Sequence, residues 1–302
     1  MVQIKRVLCP VDFSESSRHA MEDAVVIARR YKASITALHV YSPLFMPVPG
    51  LPALEERASG VELTRVQAET AAWIASTGSH GVTVDVLVEA GQPARHIIET
   101  ATALDADLIV MGTHGASGVE HLVLGSVTEK VLRKASCPVL TVPPHALATS
   151  TLPFSRLICA VDFSDSSLAA LDLAFSLVEE SDAALTMVHV IEWPWAEPPA
   201  PVFQELPPGQ AAALAEYRRY VETSANTRLK GLVADSLRDR RAVTTRVAHG
   251  KSYVEILRLA AEDRVDLIVM GVHGRHAADL LFGSTTNQVV RRATCPVLTW
   301  RH

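Results

Sequence analysis

Short, wholly apolar runs alternate with amphipathic stretches along this chain. In the first half, Val7-Leu8-Cys9-Pro10-Val11 and Leu108-Ile109-Val110-Met111 are apolar throughout, as strands covered on both faces are. Ile35 to Tyr41 reads as a second strand, Val82 to Val88 alternates as a third, and Pro138 to Val142 closes the set. Helical patterns fill the gaps. One runs from a cap at Ser14 or Ser16 to about Tyr31, one from Ala53 to Thr77, one from Gly91-Gln92-Pro93, and one from Ser126 to Lys134. Pro43, Pro47, Pro49 and Pro52 exclude both helix interior and ladder and so predict an irregular loop. Strands alternating with helices predict parallel β joined by right-handed crossovers, hence an open, doubly wound α/β sheet. Ligands of such sheets sit beyond the carboxyl ends of the strands.

The pattern then repeats. Arg6 to Ser17 aligns with Arg156 to Ser167 at a constant offset of 150 (156 − 6), down to Val11-Asp12-Phe13-Ser14 against Val161-Asp162-Phe163-Ser164. The apolar run at Leu108 aligns with Leu267 at an offset of 159 (267 − 108), so the second copy carries a net insertion of nine residues, expected in the loop after its second strand. The second copy reads as strand 157–161, helix to Val178, strand 185–191, a longer loop from Pro194 to Pro208, helix to about Arg240, strand 242–247, helix from Ser252, and strands 267–270 and 296–300. The Pro194–Pro208 loop reads equally as a functional lid or as a disordered bulge. Two domains are therefore expected, 1–144 and 153–302, joined by a linker at 145–152.

Chemistry concentrates after the fourth strand of each copy. Gly112-Thr113-His114-Gly115 is followed by nine residues and then by Gly125-Ser126, which opens a helix. A strand feeding a glycine loop and a helix N-terminus offers unpaired N–H groups and the positive end of a dipole, which suits an anion such as phosphate. The same residues would serve equally as a tight turn and a helix cap. Ser126-Val127-Thr128-Glu129 fits a capping box. Asp12, an acceptor-only side chain at the end of the first strand, suits ribose hydroxyls or an adenine amine, or else caps the helix that follows.

The spacing G-x-x-G, nine residues, G-S after a buried strand resembles the ATP-binding signature of the universal stress protein family. The resemblance extends to Val11-Asp12-Phe13-Ser14, to Ala135-Ser136-Cys137-Pro138-Val139-Leu140-Thr141, and to a second signature from Leu267 to Thr299. It implies two tandem Rossmann-like domains of the adenine nucleotide alpha hydrolase type, each with five parallel strands in the order 3-2-1-4-5. It also implies ATP, with Mg²⁺ carried through the phosphates. In the first copy the residues implied to face nucleotide are Pro10 and Asp12, Val40 through its backbone, Met111, Gly112, His114 and Gly115, and Gly125, Ser126 and Val127. In the second they are Asp162, Val190, Met270, Gly271, His273, Gly274, Gly283, Ser284 and Thr285. His114 would touch phosphate or face solvent.

The copies are not equal. Nine residues, 116–124, separate Gly115 from Gly125, but only eight, 275–282, separate Gly274 from Gly283. One residue fewer shortens the loop's reach by up to about 3.5 Å, which predicts that the Gly283-Ser284 amides fall short of a phosphate held at Gly271 and Gly274. Tight binding in the first copy and weaker, altered or absent binding in the second follow. Asn287 replaces Glu129 in the second copy, which removes a carboxylate opposing the phosphates.

Composition narrows the function classes. The chain has 302 residues, 5% aromatic content and a formal net charge of −5, which offers nucleic acid neither a stacking platform nor a basic face. No run of about twenty apolar residues could span a bilayer, and the start of the chain lacks the pattern of a signal peptide, so a cytoplasmic location is expected. Cys9, Cys137, Cys159 and Cys295 fall at matching places in the two copies and read as core residues, not as disulfides or metal ligands. No G-x-S-x-G elbow holds Ser126, which argues against a serine hydrolase built on Asp12, His114 and Ser126. His249-Gly250-Lys251-Ser252 resembles the end of a P-loop, but Thr245 stands where its first glycine belongs. His39 and His189 sit inside strands as structural histidines, and no metal motif is present. Apart from Arg275, neither signature carries a cation for phosphoryl transfer. The leading expectation is a nucleotide-dependent regulatory or stress-response binding protein, folded as an internal pseudo-dimer with further homodimerisation open. A slow ATPase or nucleotidyl-transfer enzyme, and a protein-binding pseudo-dimer without nucleotide, are the alternatives.

Overall fold

The computed structural model describes residues 4–42, 52–78, 81–113, 124–144, 154–181, 183–193, 208–233, 243–273 and 283–301. In the first half, β1 (Arg6–Val11), α1 (Glu15–Tyr31), β2 (Ser34–Tyr41), α2 (Pro52–Ala75), β3 (Val84–Ala90), α3 (Pro93–Ala103), β4 (Leu108–Gly112), α4 (Ser126–Lys134) and β5 (Val139–Val142) follow one another. The second half repeats them as β6 (Arg156–Ala160), α5 (Asp165–Ser181), β7 (Ala184–Ile191), α6 (Pro208–Gly231), β8 (Val243–His249), α7 (Ser252–Glu262), β9 (Leu267–Gly271), α8 (Ser284–Arg292) and β10 (Val297–Trp300). No helix among the described residues is long and apolar enough to cross a membrane.

Each half has its strands in the expected order, with β1 and β4 side by side and parallel. The halves do not form two separate sheets. β5 pairs antiparallel with β10, and the result is one ten-stranded sheet ordered β3-β2-β1-β4-β5-β10-β9-β6-β7-β8. The seam is symmetric: Thr141 Oγ1 donates to Val297 O at 3.1 Å and Thr299 Oγ1 donates to Val139 O at 3.2 Å. The sheet carries an apolar layer on each face. Along β1 successive side chains alternate between them, with Val7, Cys9 and Val11 in one layer and Leu8 in the other. Residues of α1 and α5 pack into the first layer and residues of α3, α4, α7 and α8 into the second, and both layers run through both halves. All four cysteines are free. Burial pushes the thiols of Cys9 and Cys159 upward and those of Cys137 and Cys295 to about 12, so they stay neutral core residues.

Several boundaries differ from the sequence reading. The third strand begins at Val84 rather than Val82 and runs on to Ala90. α6 spans Pro208–Gly231 and closes in a tighter turn where the Leu232 amide donates to Leu229 O at 3.1 Å, and the expected end near Arg240 lies outside the described residues. The insertion is split. The offset between copies is 150 at β2 and β7 (184 − 34), 156 at the starts of α2 and α6 (208 − 52), and 159 at β3 and β8 (243 − 84). The buried residues Thr70 and Ile74 of α2 match Ala225 and Leu229 of α6 at an offset of 155 (229 − 74), so the added residues fall partly before the long helix and partly after it. The proline-rich loops, 43–51 and 194–207, and the 145–153 segment lie outside the described residues.

Candidate functional site

β1 and β4 deliver their carboxyl ends to one edge of the sheet, and β6 and β9, which run the other way across the antiparallel β5–β10 seam, deliver theirs to the opposite edge; the residues singled out by sequence gather at these two places. Pro10 is partly buried in β1 and Asp12 follows that strand. Val40 lies near the end of β2, and Met111, 4% exposed, and Gly112 close β4. Gly125 precedes α4, whose first two residues are Ser126 and Val127. The second half places Asp162, Val190, Met270, Gly271, Gly283, Ser284 and Thr285 in the same way, with His273 just beyond β9. His114, Gly115, Gly274 and Arg275 lie outside the described residues.

Asp12 does not cap α1. Ser14 is the N-cap, its hydroxyl accepting the Ser17 amide at 3.1 Å. Asp12 stands behind that cap: its Oδ1 accepts the Ser14 amide at 3.1 Å and the Ser14 hydroxyl at 2.5 Å. With the hydroxyl proton committed to Asp12, the Ser14 oxygen is left with lone pairs for the Ser17 N–H. Asp162 and Ser164 repeat the arrangement at 3.0 and 2.5 Å, with the Ser167 amide 3.3 Å from Ser164 Oγ. Between each Asp and Ser stands a phenylalanine in the left-handed region, Phe13 at φ 66° and Phe163 at φ 64°.

The capping box at Ser126 is not formed. Gly125 is the N-cap, at φ −57° and ψ 134°, so Ser126 is the first helical residue and Glu129 sits one turn in. The ladder begins where the Glu129 amide donates to Gly125 O at 3.0 Å. The amides of Ser126, Val127 and Thr128 precede it and have no intrahelical acceptor, the condition for an anion at a helix start. The Gly125 amide is spent on Thr113 O at 3.0 Å, and Thr128 Oγ1 donates to Gly112 O at 3.0 Å. Strand end and helix start are thereby tied.

Gly112 answers a steric demand inside the protein. A Cβ built there would overlap Ser16 Oγ and lie 2.9 Å from the Ser16 carbonyl carbon, so glycine lets α1 close on the end of β4. Gly271 meets Ser166 in the same way. The lone Ser16, read above only as a possible cap, is one half of this close approach.

The shortened loop of the second half does not displace its glycine. Gly283 caps α8 at φ −58° and ψ 134°, its amide donates to Val272 O at 3.0 Å, Thr286 Oγ1 donates to Gly271 O at 2.9 Å, and the Asn287 amide opens the ladder on Gly283 O. Gly283-Ser284 therefore stands to Gly271 as Gly125-Ser126 stands to Gly112, and the missing residue falls in the 274–282 stretch outside the described residues. The P-loop lookalike is likewise a helix start: Glu192 Oε1 accepts the Ser252 amide at 2.6 Å, occupying with the protein's own carboxylate the place a phosphate would take. Among the described residues no group of three or more His, Cys, Asp and Glu side chains could hold a metal ion.

The model of the universal stress protein family matches the chain twice, over residues 3–143 and 153–301. A universal stress protein of Mycolicibacterium smegmatis is 28% identical over 310 aligned residues, covering 98% of this chain and 96% of the relative. One from Methanocaldococcus jannaschii is 36% identical over 147 residues, covering 46% of this chain and 81% of the relative. Among solved structures, a universal stress protein from Archaeoglobus fulgidus superposes with a TM-score of 0.66 at 24% identity, covering 100% of this chain and 97% of that one. The chain belongs to the universal stress protein family.

Proposed function

We propose that this tandem universal stress protein binds adenine nucleotide, ATP with Mg²⁺ carried by its phosphates, once in each half, and works as a nucleotide-dependent regulatory or stress-response binding protein. One observation carries the reading. The same corner is built twice, with a helix start whose first amides lack ladder partners and an aspartate held by its own Asx turn both placed beyond the carboxyl ends of the strands of the same half. Phosphates suit the amides of Ser126, Val127 and Thr128 and of Ser284, Thr285 and Thr286. Ribose hydroxyls or the adenine amine suit Asp12 and Asp162, which can only accept when ionised. Val40 and Val190 would meet the base through their backbones. The metal is assigned to the phosphates because the corner offers amides and hydroxyls rather than clustered carboxylates. A cytoplasmic location supplies the nucleotide.

The likeness of Gly283 to Gly125 supports two comparable sites in place of one strong and one weak. Calorimetry with ATP tests this: two sites in the wild type, one each in Gly125→Val and Gly283→Val, and none in the double variant. Unchanged binding in the double variant would overturn the reading. Turnover at an ordinary enzymatic rate of order 10 per second that Ser126→Ala removes would replace it with the enzyme alternative.

A further inference from the structure

We infer that His39 and His189 are positioning residues for the nucleoside end of the two sites, each acting through the backbone carbonyl that precedes its aspartate; this rests on the nucleotide reading above. The problem they solve is local. An Asx turn from Asp12 to Ser14 places Phe13 at φ 66°, and Phe163 sits at φ 64° in the matching turn. A bulky residue there costs about 1 kcal/mol or more and persists only where its surroundings over-determine it. Val11, the last residue of β1, lies opposite His39 in register, and its carbonyl oxygen is 2.8 Å from His39 Nδ1. Val161 O lies 2.7 Å from His189 Nδ1. A carbonyl only accepts, so Nδ1 carries the proton in both rings. Each imidazole also lies against the strained phenylalanine: Phe13 and His39 stack with centroids 4.4 Å apart and planes at 27°, and Phe163 and His189 are 4.7 Å apart at 44°. One side chain thus fixes both ends of the turn, the carbonyl entering it and the ring at its apex.

Other partners of the two phenylalanines differ. In the first half Phe13 has Trp73 edge-on at 5.8 Å; in the second, the Arg228 guanidinium lies 3.9 Å over Phe163. Two copies whose surroundings have diverged keep the same imidazole, the same carbonyl partner and the same left-handed phenylalanine. Core filling at this position requires no N–H donor, because a β-branched residue packs a strand as well. The imidazole adds a donor short enough to reach the neighbouring strand's carbonyl and a flat face for the phenylalanine. What that geometry delivers is the direction of the Asp12 and Asp162 carboxylates.

The test uses the full chain carrying Gly283→Val, so that the first site is read alone, with ATP and inorganic tripolyphosphate as probes in parallel titrations. Replacing His39→Ala should weaken ATP about tenfold, the value of one lost internal hydrogen bond, and leave tripolyphosphate unchanged, since only the nucleoside end depends on Asp12. His39→Asn, which returns an N–H donor without the ring, should recover part of the loss. It also stands in for the alanine variant should circular dichroism find that variant unfolded. Equal weakening of both probes would make His39 a general stabiliser and overturn the inference, as would ATP binding unchanged in both variants. A parent chain that binds neither probe would instead overturn the nucleotide reading itself.

Discussion

The corner around Asp12 and the corner around Asp162 carry the same hydrogen-bond net on different packing. Asp, Ser and Ser, the Thr hydroxyl on the glycine carbonyl and the glycine cap agree within 0.2 Å between halves. Around this frame the halves drift apart. Arg18 lies 5.2 Å over the Trp73 ring in the first, whereas the second gathers Trp193, whose indole donates to His249 Nδ1 at 3.2 Å, with the Arg218 guanidinium 5.4 Å over its ring. Glu129 in the first α4 turn becomes Asn287 in α8. The difference teaches which features are constrained. A backbone-defined corner tolerates a lost loop residue because both loop ends are pinned by main-chain and threonine hydrogen bonds, while the aromatic and charged surroundings are free to change.

The comparison is broken most directly at the glycines. Gly112→Ala and Gly271→Ala each force a Cβ onto a serine backbone, and each should cost about 1–3 kcal/mol, as overpacking does, in denaturant unfolding. A large loss for one and none for the other would show that the halves are not equivalent where they look most alike. Removing the caps sharpens it further. Ser14→Ala and Ser164→Ala should each cost about 1 kcal/mol, and the aspartate behind each cap loses its hydroxyl donor in both. The carboxylate difference gives a smaller effect of opposite sign in the two halves. Asn287→Glu should weaken ATP at the second site and Glu129→Gln should tighten it at the first, each by about two- to fivefold. Calorimetry on variants closed at the other site would read both, and identical affinities would make position 129 irrelevant to the phosphates.

The smallest effect concerns the matched thiols. Burial, with a lesser push from Asp107, raises Cys137 from 9.0 to about 12, and burial with Asp266 does the same for Cys295. The folded state thus favours the neutral thiol, so this contribution to stability is complete below pH 9 and is lost as pH rises from 9 toward 12. Cys137→Ala should therefore flatten the fall in melting temperature between those pH values. The matching change at Cys295 should flatten it equally if the halves are alike. An unaltered slope in both would place the titrating group elsewhere.

Much of this molecule was legible in sequence because it is local. Apolar runs at 7–11 and 108–111 report strands covered on both faces, the offset of 150 reports the repeat, and glycine before serine reports a helix start. Those signals gave the α/β class, two copies and most of the candidate site. The signature's resemblance to a known family supplied the strand order, which spacing alone did not. The Asx turn at Asp12 was also there to be read, since Asp-x-Ser offers the aspartate two donors, but the same residues fit a cap, and only the dihedral angles separate the two.

What tertiary structure decided are the relations between distant segments. Gly112 is glycine because Ser16, on a helix that precedes it by two strands, needs the space. His39 serves the Val11 carbonyl because β2 lies beside β1 in a particular register, and a shift of one residue would turn its ring to the other face of the sheet. The two halves share one sheet because the β5 edge, with unpaired backbone groups, finds in β10 an edge of the same kind related to it by the repeat. Sequence by itself determined the elements and their duplication, since hydrophobic period and turn chemistry act over a few residues. The capping of the helices, the purpose of the glycines, the absorption of the missing residue and the joined sheet were settled by contacts between segments that only the folded chain brings within hydrogen-bond reach.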